Sequence, residues 1–305
     1  MSQEVFVGLD WAVHTHAVCI IDAAGAVLAD LERLEALYGL DDPLPTQFVT
    51  YIITTLQLQF GDSFMYPGTP AMEYVMSKMV WTLILTGTSS IFMILIGMTI
   101  GILSAWKRGS WFDTGSLAFS LFFYAMPTFW FAMMLIVVFS TGLGWFPSDS
   151  ALSYGEKLEL TWSCFVDLVK HLVLPAASLT IGSIAAFSVI MRGSLMDVMT
   201  EEYITTARAK GLSEGKVLKN HAVPNAMLPM VALIAIDLAF VVGGAFQTEV
   251  VFSYPGIGYA TITATMTQDY PILQAAFFLI AVVVVFANLV ADVMMVYLDP
   301  RVKVG

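Results

Sequence analysis

Charge is what this chain has least of. Only 12% of its 305 residues are Asp, Glu, Lys or Arg, about half the share of an average soluble domain. Cysteine occurs twice, at Cys19 and Cys164, and two cysteines with no ligand spacing support neither a metal site nor a disulfide. No Gly-rich stretch ends in Lys followed by Ser or Thr, so the chain has no phosphate-cradling loop of its own. No HExxH, paired histidine or nucleophile motif falls inside an apolar run, which argues against an intramembrane enzyme. Bases number 13 against 24 acids, a net charge of −11, and nucleic-acid binding needs the opposite sign.

Apolar residues fill the space that charge leaves, at 58% of the chain. A run of about 20 apolar residues is enough to cross a bilayer. Five such windows can be read: Met79–Ala105, Gly115–Thr141, Leu172–Met191, Met227–Phe246 and Leu273–Leu298. They predict an all-α polytopic membrane protein embedded in a lipid bilayer. Basic residues gather on the cytoplasmic side of membrane proteins. Lys107, Arg108, Arg192, Arg208, Lys210, Lys216, Lys219, Arg301 and Lys303 all fall on one side, nine of the thirteen bases. That places the 201–229 segment and the C-terminus in the cytoplasm and residues 1–78 outside. Residues 1–77 hold ten acids against Arg33 alone. Such an acidic outer face either attracts cationic solutes or a basic partner, or is a solvated surface.

Between the third and fourth windows lies a polar, basic insert of nearly thirty residues, EEYITTARAKGLSEGKVLKNHAVPNAMLP. Glu201 and Glu202 suit the positive end of a helix dipole. Tyr203 to Lys210 makes about two turns, and Gly211 can take the left-handed conformation that closes a helix. Ser213 is placed to cap a second helix through Glu214, Lys216 and Lys219, which Pro224 ends or kinks. This pattern resembles the loop by which permease subunits of ATP-binding-cassette (ABC) importers dock on their ATPases, with close matches at Ala207, Gly211 and Pro224. TARAKGLS and HAVPNAMLP resemble the dipeptide and oligopeptide branch, although Thr205 stands where the family favours Glu. The resemblance implies a type I importer transmembrane domain over 79–305. It also implies an ATPase-coupling site at Glu202, Tyr203, Thr206, Ala207, Arg208, Ala209, Lys210, Gly211, Leu212 and Pro224. The implied partners are two ATP-binding subunits, a second homologous permease and an extracytoplasmic substrate-binding protein. Catalysis, metal and cofactor are expected to be absent from the chain itself. The setting would be a bacterial or archaeal cytoplasmic (inner) membrane.

A second cluster follows the fourth window: Glu249-Val-Val-Phe-Ser-Tyr-Pro-Gly-Ile-Gly258. Pro255, Gly256 and Gly258 break regular structure, while Phe252 and Tyr254 suit an interface. It resembles the family's outer motif near the mouth where the receptor releases substrate. Either it contacts substrate there, or it is only a turn at the membrane surface. Asp237, inside LIAIDLAFVVGGAF, contacts solute or bonds a neighbouring helix, because intramembrane carboxylates are costly. Asn288 and Asp292 are expected to fasten helices. Pro127 marks a kink in the second window and Trp130 an aromatic anchor.

Residues 1–30 depart from this pattern. Val5–Leu9, Ala17–Ile21 and Ala26–Leu28 are too short to span a membrane and, broken at Asp22–Gly25, predict a strand and then a hairpin. They resemble the start of a ribonuclease-H-like (DEDD) insertion-sequence transposase, with Asp10 as its first metal-binding carboxylate, which suggests a fusion or rearranged start. Two-metal chemistry needs several carboxylates, and the rest of that domain is not present. His14 and His16 lack further ligands. Permease likeness resumes at Leu31 and runs to Gly305. Residues 31–78 form an outer segment with a short helix at Leu31–Leu40 and a turn at Asp41–Pro45, and the usual first span is missing. The expected function is passage of di- or oligopeptides, or related solutes such as nickel complexes. A permease remnant fused to a transposase fragment is the alternative. A secondary transporter would instead require internal repeats, which the five windows lack.

Overall fold

The computed structural model describes residues 6–12, 15–21, 27–29, 42–156, 158–241 and 245–298. The chain divides into two compact units, 1–59 and 60–305. In the first unit, β1 (Phe6–Ala12), β2 (Thr15–Ile21) and β3 (Val27–Ala29) form an antiparallel sheet in that order. Pairing runs from Phe6 opposite Ile21 to Ala12 opposite Thr15, and puts Asp10 opposite Ala17. These strands fall within residues 1–30, where a strand and a hairpin were expected. The Asp22–Gly25 turn, His14 and the Leu31–Leu40 helix lie outside the described residues. Pro43–Pro45, read as a turn, instead opens helix α1 (Leu44–Leu56). Proline fits a helix's first turn because the missing N–H has no intrahelical partner there.

The second unit is built on two long helices. Helix α2 (Ala71–Trp106) has 36 residues and starts on Pro70. A tight turn then leads to α3 (Trp111–Tyr124), whose N-cap Ser110 accepts a hydrogen bond from the Asp113 N–H at 3.2 Å. After α4 (Thr128–Leu135) and its π-helical continuation Ile136–Gly142 comes α5 (Trp162–Val198), with 37 residues. At 1.5 Å per residue α2 and α5 are each about 54 Å long, against a hydrocarbon core of about 30 Å. Both therefore overrun the windows expected at 79–105 and 172–191 and carry their ends beyond the membrane.

The pair packs through small residues. A Cβ on Gly97 would lie 2.6 Å from the Phe187 Cβ, and one on Gly101 would lie 2.7 Å from both the Met191 Cβ and the Ser188 carbonyl. This Gly-x-x-x-Gly spacing lets two backbones approach closely. Two buried hydroxyls on α2 are satisfied within the helix: Thr86 bonds the Thr82 carbonyl at 2.6 Å and Ser89 that of Leu85 at 2.7 Å.

The second window is a helix pair, α3 and then α4 with its continuation, bent by 100° at the break between them. Pro127 caps α4 and supplies the kink expected of it, and Trp130 stays exposed. Short helices α6 (Glu202–Ala209), α7 (Glu214–Val217) and α8 (Val223–Ala226) precede α9 (Leu228–Val241). Then α10 (Phe246–Val251), α11 (Ile257–Met266) and α12 (Tyr270–Leu298) complete the unit. Among the described residues three helices are long and apolar enough to cross a membrane, or four with the bent pair as one span. Of the fourth expected window, Met227–Phe246, the structure describes α9, which has 14 residues, about 21 Å, and residues 245–246. Gly243 and Gly244, like Asp299–Arg301, lie outside the described residues.

Candidate functional site

At one end of the membrane unit, the 201–229 segment folds as a hook. Glu201 is the N-cap of α6 and Glu202 its first residue, so two carboxylates face the positive helix end. Lys210 closes α6, and Gly211 adopts φ +79°, the left-handed turn that glycine takes without a Cβ clash. Ser213 sits at the N-cap of α7, but its side chain makes no capping bond. Glu214 is held elsewhere, by Arg208 at 2.9 Å and 3.3 Å across the Gly211 turn. The second helix is not continuous either. It widens into a π-helical turn, Leu218–Ala222, and resumes as α8 with Pro224 in its first turn. Proline gives the Asn220 carbonyl no N–H, so Pro224 kinks this helix rather than ending it.

Burial divides the hook into two faces. Ile204, Ala207, Val217, Ala222, Ala226 and Met230 are buried against Met93 of α2 and Phe187, Met191 and Leu195 of α5, with Leu212 packed alongside. Each buried Ile or Val side chain contributes about 1.5–3 kcal/mol, enough to fix the hook to the long helices. Glu202, Tyr203, Thr206, Arg208, Ala209, Lys210, Gly211 and Pro224 are exposed. Ala207 is thus a packing residue, and the exposed set forms the face open to a partner. Burial and the neighbouring Glu201 push the Tyr203 phenol up, so it stays neutral. A cleft of about 400 Å³ between the hook and the ends of α2 and α5 is lined by Trp106, Arg108, Met199, Arg208 and Glu214.

At the opposite end, the outer cluster has a different construction from the one its aromatics suggest. Phe252 and Tyr254 are buried, packed among Leu85, Leu135 and Leu172, and the Tyr254 ring meets Trp81 edge-on at 6.3 Å. They are core residues of the loop, not surface anchors. Glu249 is wholly buried too. Its carboxylate accepts from the Thr82 hydroxyl at 2.8 Å and from the Tyr259 N–H at 3.1 Å. The Thr82 oxygen in turn accepts from the Ile257 N–H at 2.8 Å. Burial pushes the Glu249 carboxyl above the ordinary carboxylate range, opposed by the bonds from Thr82 and the backbone of Tyr259 and Gly258. Pro255 and Ser253, the latter at φ +45°, make the turn.

Asp237 is partly buried on α9 and shares a hydrogen bond with Ser90 of α2, leaving Oδ2 unpartnered in the structure. Asn288 is exposed, and the Asp292 side chain lies outside the described residues.

The sequence reading missed two polar constellations. Asp113 is paired with Arg192 through two bonds of 2.6 Å and 2.9 Å. Seventy-nine residues separate the partners, so no local motif announces them. Thr82 and Glu249 are likewise remote in sequence, although an acid followed by two glycines on an otherwise apolar stretch was a usable signal.

The fold, with its hook and its buried outer loop, is that of a transporter membrane subunit. Residues 97–304 match the family described as the inner membrane component of binding-protein-dependent transport systems. The chain belongs to that family. It is 36% identical over 275 residues to the oligopeptide transport system permease protein AppB of Bacillus subtilis, covering 90% of this chain and 85% of the relative. It is 34% identical over 294 residues to the dipeptide transport system permease protein DppB of Alkalihalophilus pseudofirmus, covering 92% and 87%. Its fold is also that of solved ABC transporter structures. An inward-facing MetNI methionine transporter structure superimposes with TM-score 0.59 at 17% identity, over 75% of this chain and 97% of that one. A bacterial alginate importer structure gives 0.58 at 15% identity, over 87% and 96%. The chain is therefore an inner-membrane permease subunit of an ABC importer. It is not itself the ATPase, because hydrolysis belongs to partner subunits.

Proposed function

We propose that this permease forms one half of the pathway of a di- or oligopeptide importer. The observation that carries the coupling role is the two-faced hook, whose inner face is fixed to α2 and α5 while Glu202, Tyr203, Thr206, Arg208 and Lys210 stay exposed. In this reading one of two ATP-binding subunits docks on that exposed face in the cytoplasm. Closure of the ATPases then pushes on the hook, and the rigid contact with α5 passes the push into the membrane. A second permease completes the pathway, and an extracytoplasmic binding protein delivers solute at the Glu249–Gly258 end. Peptide as cargo rests on the names of the relatives, AppB and DppB. We attach no nuclease activity to residues 1–30, since Asp10 alone does not make a two-metal centre.

The test is co-purification from detergent-solubilised membranes through a tag at Gly305, with the candidate partners co-expressed and identified by mass spectrometry. Recovery of two ATPases and a second permease, with peptide uptake in reconstituted vesicles, is expected. Recovery of this chain alone would favour a permease remnant. An assembled complex that takes up other solutes but no peptide would overturn the cargo.

A further inference from the structure

We propose that Glu249 is the positioning residue of the outer mouth, holding the α10–α11 loop rigidly on α2 through Thr82 so that a loaded binding protein meets a preformed surface. The inference rests on the importer reading above and adds a specific residue to it.

Four observations converge on this carboxylate. First, Glu249 is wholly buried, and no Lys or Arg is among the groups bonded to it. An acid is retained in such a place only when several donors converge on it. Second, those donors sit on two different elements. The Thr82 hydroxyl comes from α2, and the Tyr259 N–H comes from the first turn of α11, where a negative charge is favoured by the helix dipole. Third, Thr82 works in both directions, donating to Glu249 and accepting from the Ile257 N–H. One hydroxyl thereby fastens both ends of the loop to α2.

The fourth observation explains the glycines. Gly256 has φ −85° and ψ −177°, a conformation open to any residue, so backbone geometry does not require glycine there. Space does. The three heavy atoms nearest a Cβ at 256 would all be carboxyl atoms of Glu249, at 2.4–2.5 Å. At Gly258 a Cβ would lie 2.8 Å from the Glu249 Oε2 and equally close to the Phe246 backbone. The carboxylate thus dictates the glycine at 256, while 258 is fixed twice over.

The consequence is mechanical. Helix α2 also packs on α5, which carries the hook, through Gly97 and Gly101. Through Glu249 the outer loop moves with that pair as one body, instead of flapping as a separate lid.

The experiment uses the assembled transporter in nanodiscs, titrated with peptide-loaded binding protein while ATP hydrolysis is followed. Glu249→Gln and Thr82→Val are each expected to raise the half-saturating concentration of binding protein by about tenfold, the scale of a lost hydrogen bond to a charged group. Their kcat should stay within about twofold. Thr82→Ser keeps the hydroxyl and should restore the wild-type value. Gly256→Ala should give the same defect, and its cost should largely vanish in a Glu249→Ala background, whereas that of Gly258→Ala should persist. Unchanged half-saturation in both Glu249→Gln and Thr82→Val would overturn the proposal. So would a parallel fall in kcat, full additivity of Gly256→Ala with Glu249→Ala, or failure of both isosteric variants to assemble. A wild-type complex that does not respond to any binding protein would instead sink the importer reading itself.

Discussion

Arg192 and Asp113 form a buried ion pair where α5 crosses the start of α3, with side chains 22% and 5% exposed. Asp113 also accepts from the Gly109 N–H at 2.9 Å and the Ser104 hydroxyl at 2.8 Å, so every lone pair that matters has a partner. Removing one member of such a pair strands a charge in a dry site, which costs about 3–5 kcal/mol. Replacing both members leaves no stranded charge. Arg192→Gln is therefore expected to lower the thermal unfolding midpoint in detergent sharply, and Arg192→Lys by less, since it keeps charge without the planar fork. The double variant Asp113→Asn/Arg192→Gln should recover part of the loss. Simple additivity in that cycle would show that the two side chains act independently. Neither residue was legible as a site in the sequence. Each reads there as a charge near the end of an apolar run, and only the fold brings them together.

Among the elements, the hook and the α2–α5 pair differ in how far the sequence announced them. The hook's helix starts, its Gly211 turn and its exposed charges were legible because they are local, set by helix dipole, capping and backbone freedom. Its π-helical turn, Leu218–Ala222, and the uncapped Ser213 N-cap were not, since no residue type or spacing announces either. If the exposed face takes the ATPase, Tyr203→Ala and Thr206→Arg should abolish co-purification of the ATP-binding subunit without altering expression or the melting midpoint. Ile204→Ala, cut from the buried face, should lower stability by about 2–5 kcal/mol. Loss of stability from the surface changes, or a retained ATPase, would remove the face from the coupling role. For α2 and α5 the close approach makes a sharper forecast. Gly101→Ala sets a methyl 2.7 Å from the Ser188 carbonyl, a backbone atom that has nowhere to go, while Gly115→Ala meets nothing within 4 Å. The first should cost about 1–3 kcal/mol through overpacking, and the second should be neutral or slightly favourable for its helix. Equal melting midpoints for the two would contradict the packing described.

At the scale of the whole molecule, the arrangement depends on which side of the membrane the hook occupies. Apolar runs long enough to span were legible in the sequence, because hydrocarbon thickness leaves few alternatives. Their number was harder to read, since the 100° bend near Pro127 makes the second window either one broken span or a re-entrant pair. Orientation comes from charge alone: nine of thirteen bases fall on the hook side, and translocating them is disfavoured. In this orientation Tyr154, between the second and third windows and fully exposed at 107%, faces outward, while Lys216 on the hook faces the cytoplasm. Single cysteines at these two positions, in a Cys19→Ser/Cys164→Ser background, make the test. In intact cells a membrane-impermeant maleimide should label Tyr154→Cys and spare Lys216→Cys until the membrane is opened with detergent. The reverse pattern would put the hook outside, away from any source of ATP. Labelling of both in intact cells would mean a mixed topology, in which the basic residues fail to set the direction of insertion. Either result would separate the hook from ATPase docking and the Glu249 loop from the receptor side, however well each is folded. The expected pattern puts the exposed face of α6 within reach of cytoplasmic ATPases, with the long rigid pair α2 and α5 reaching from there to the Thr82–Glu249 contact on the far side.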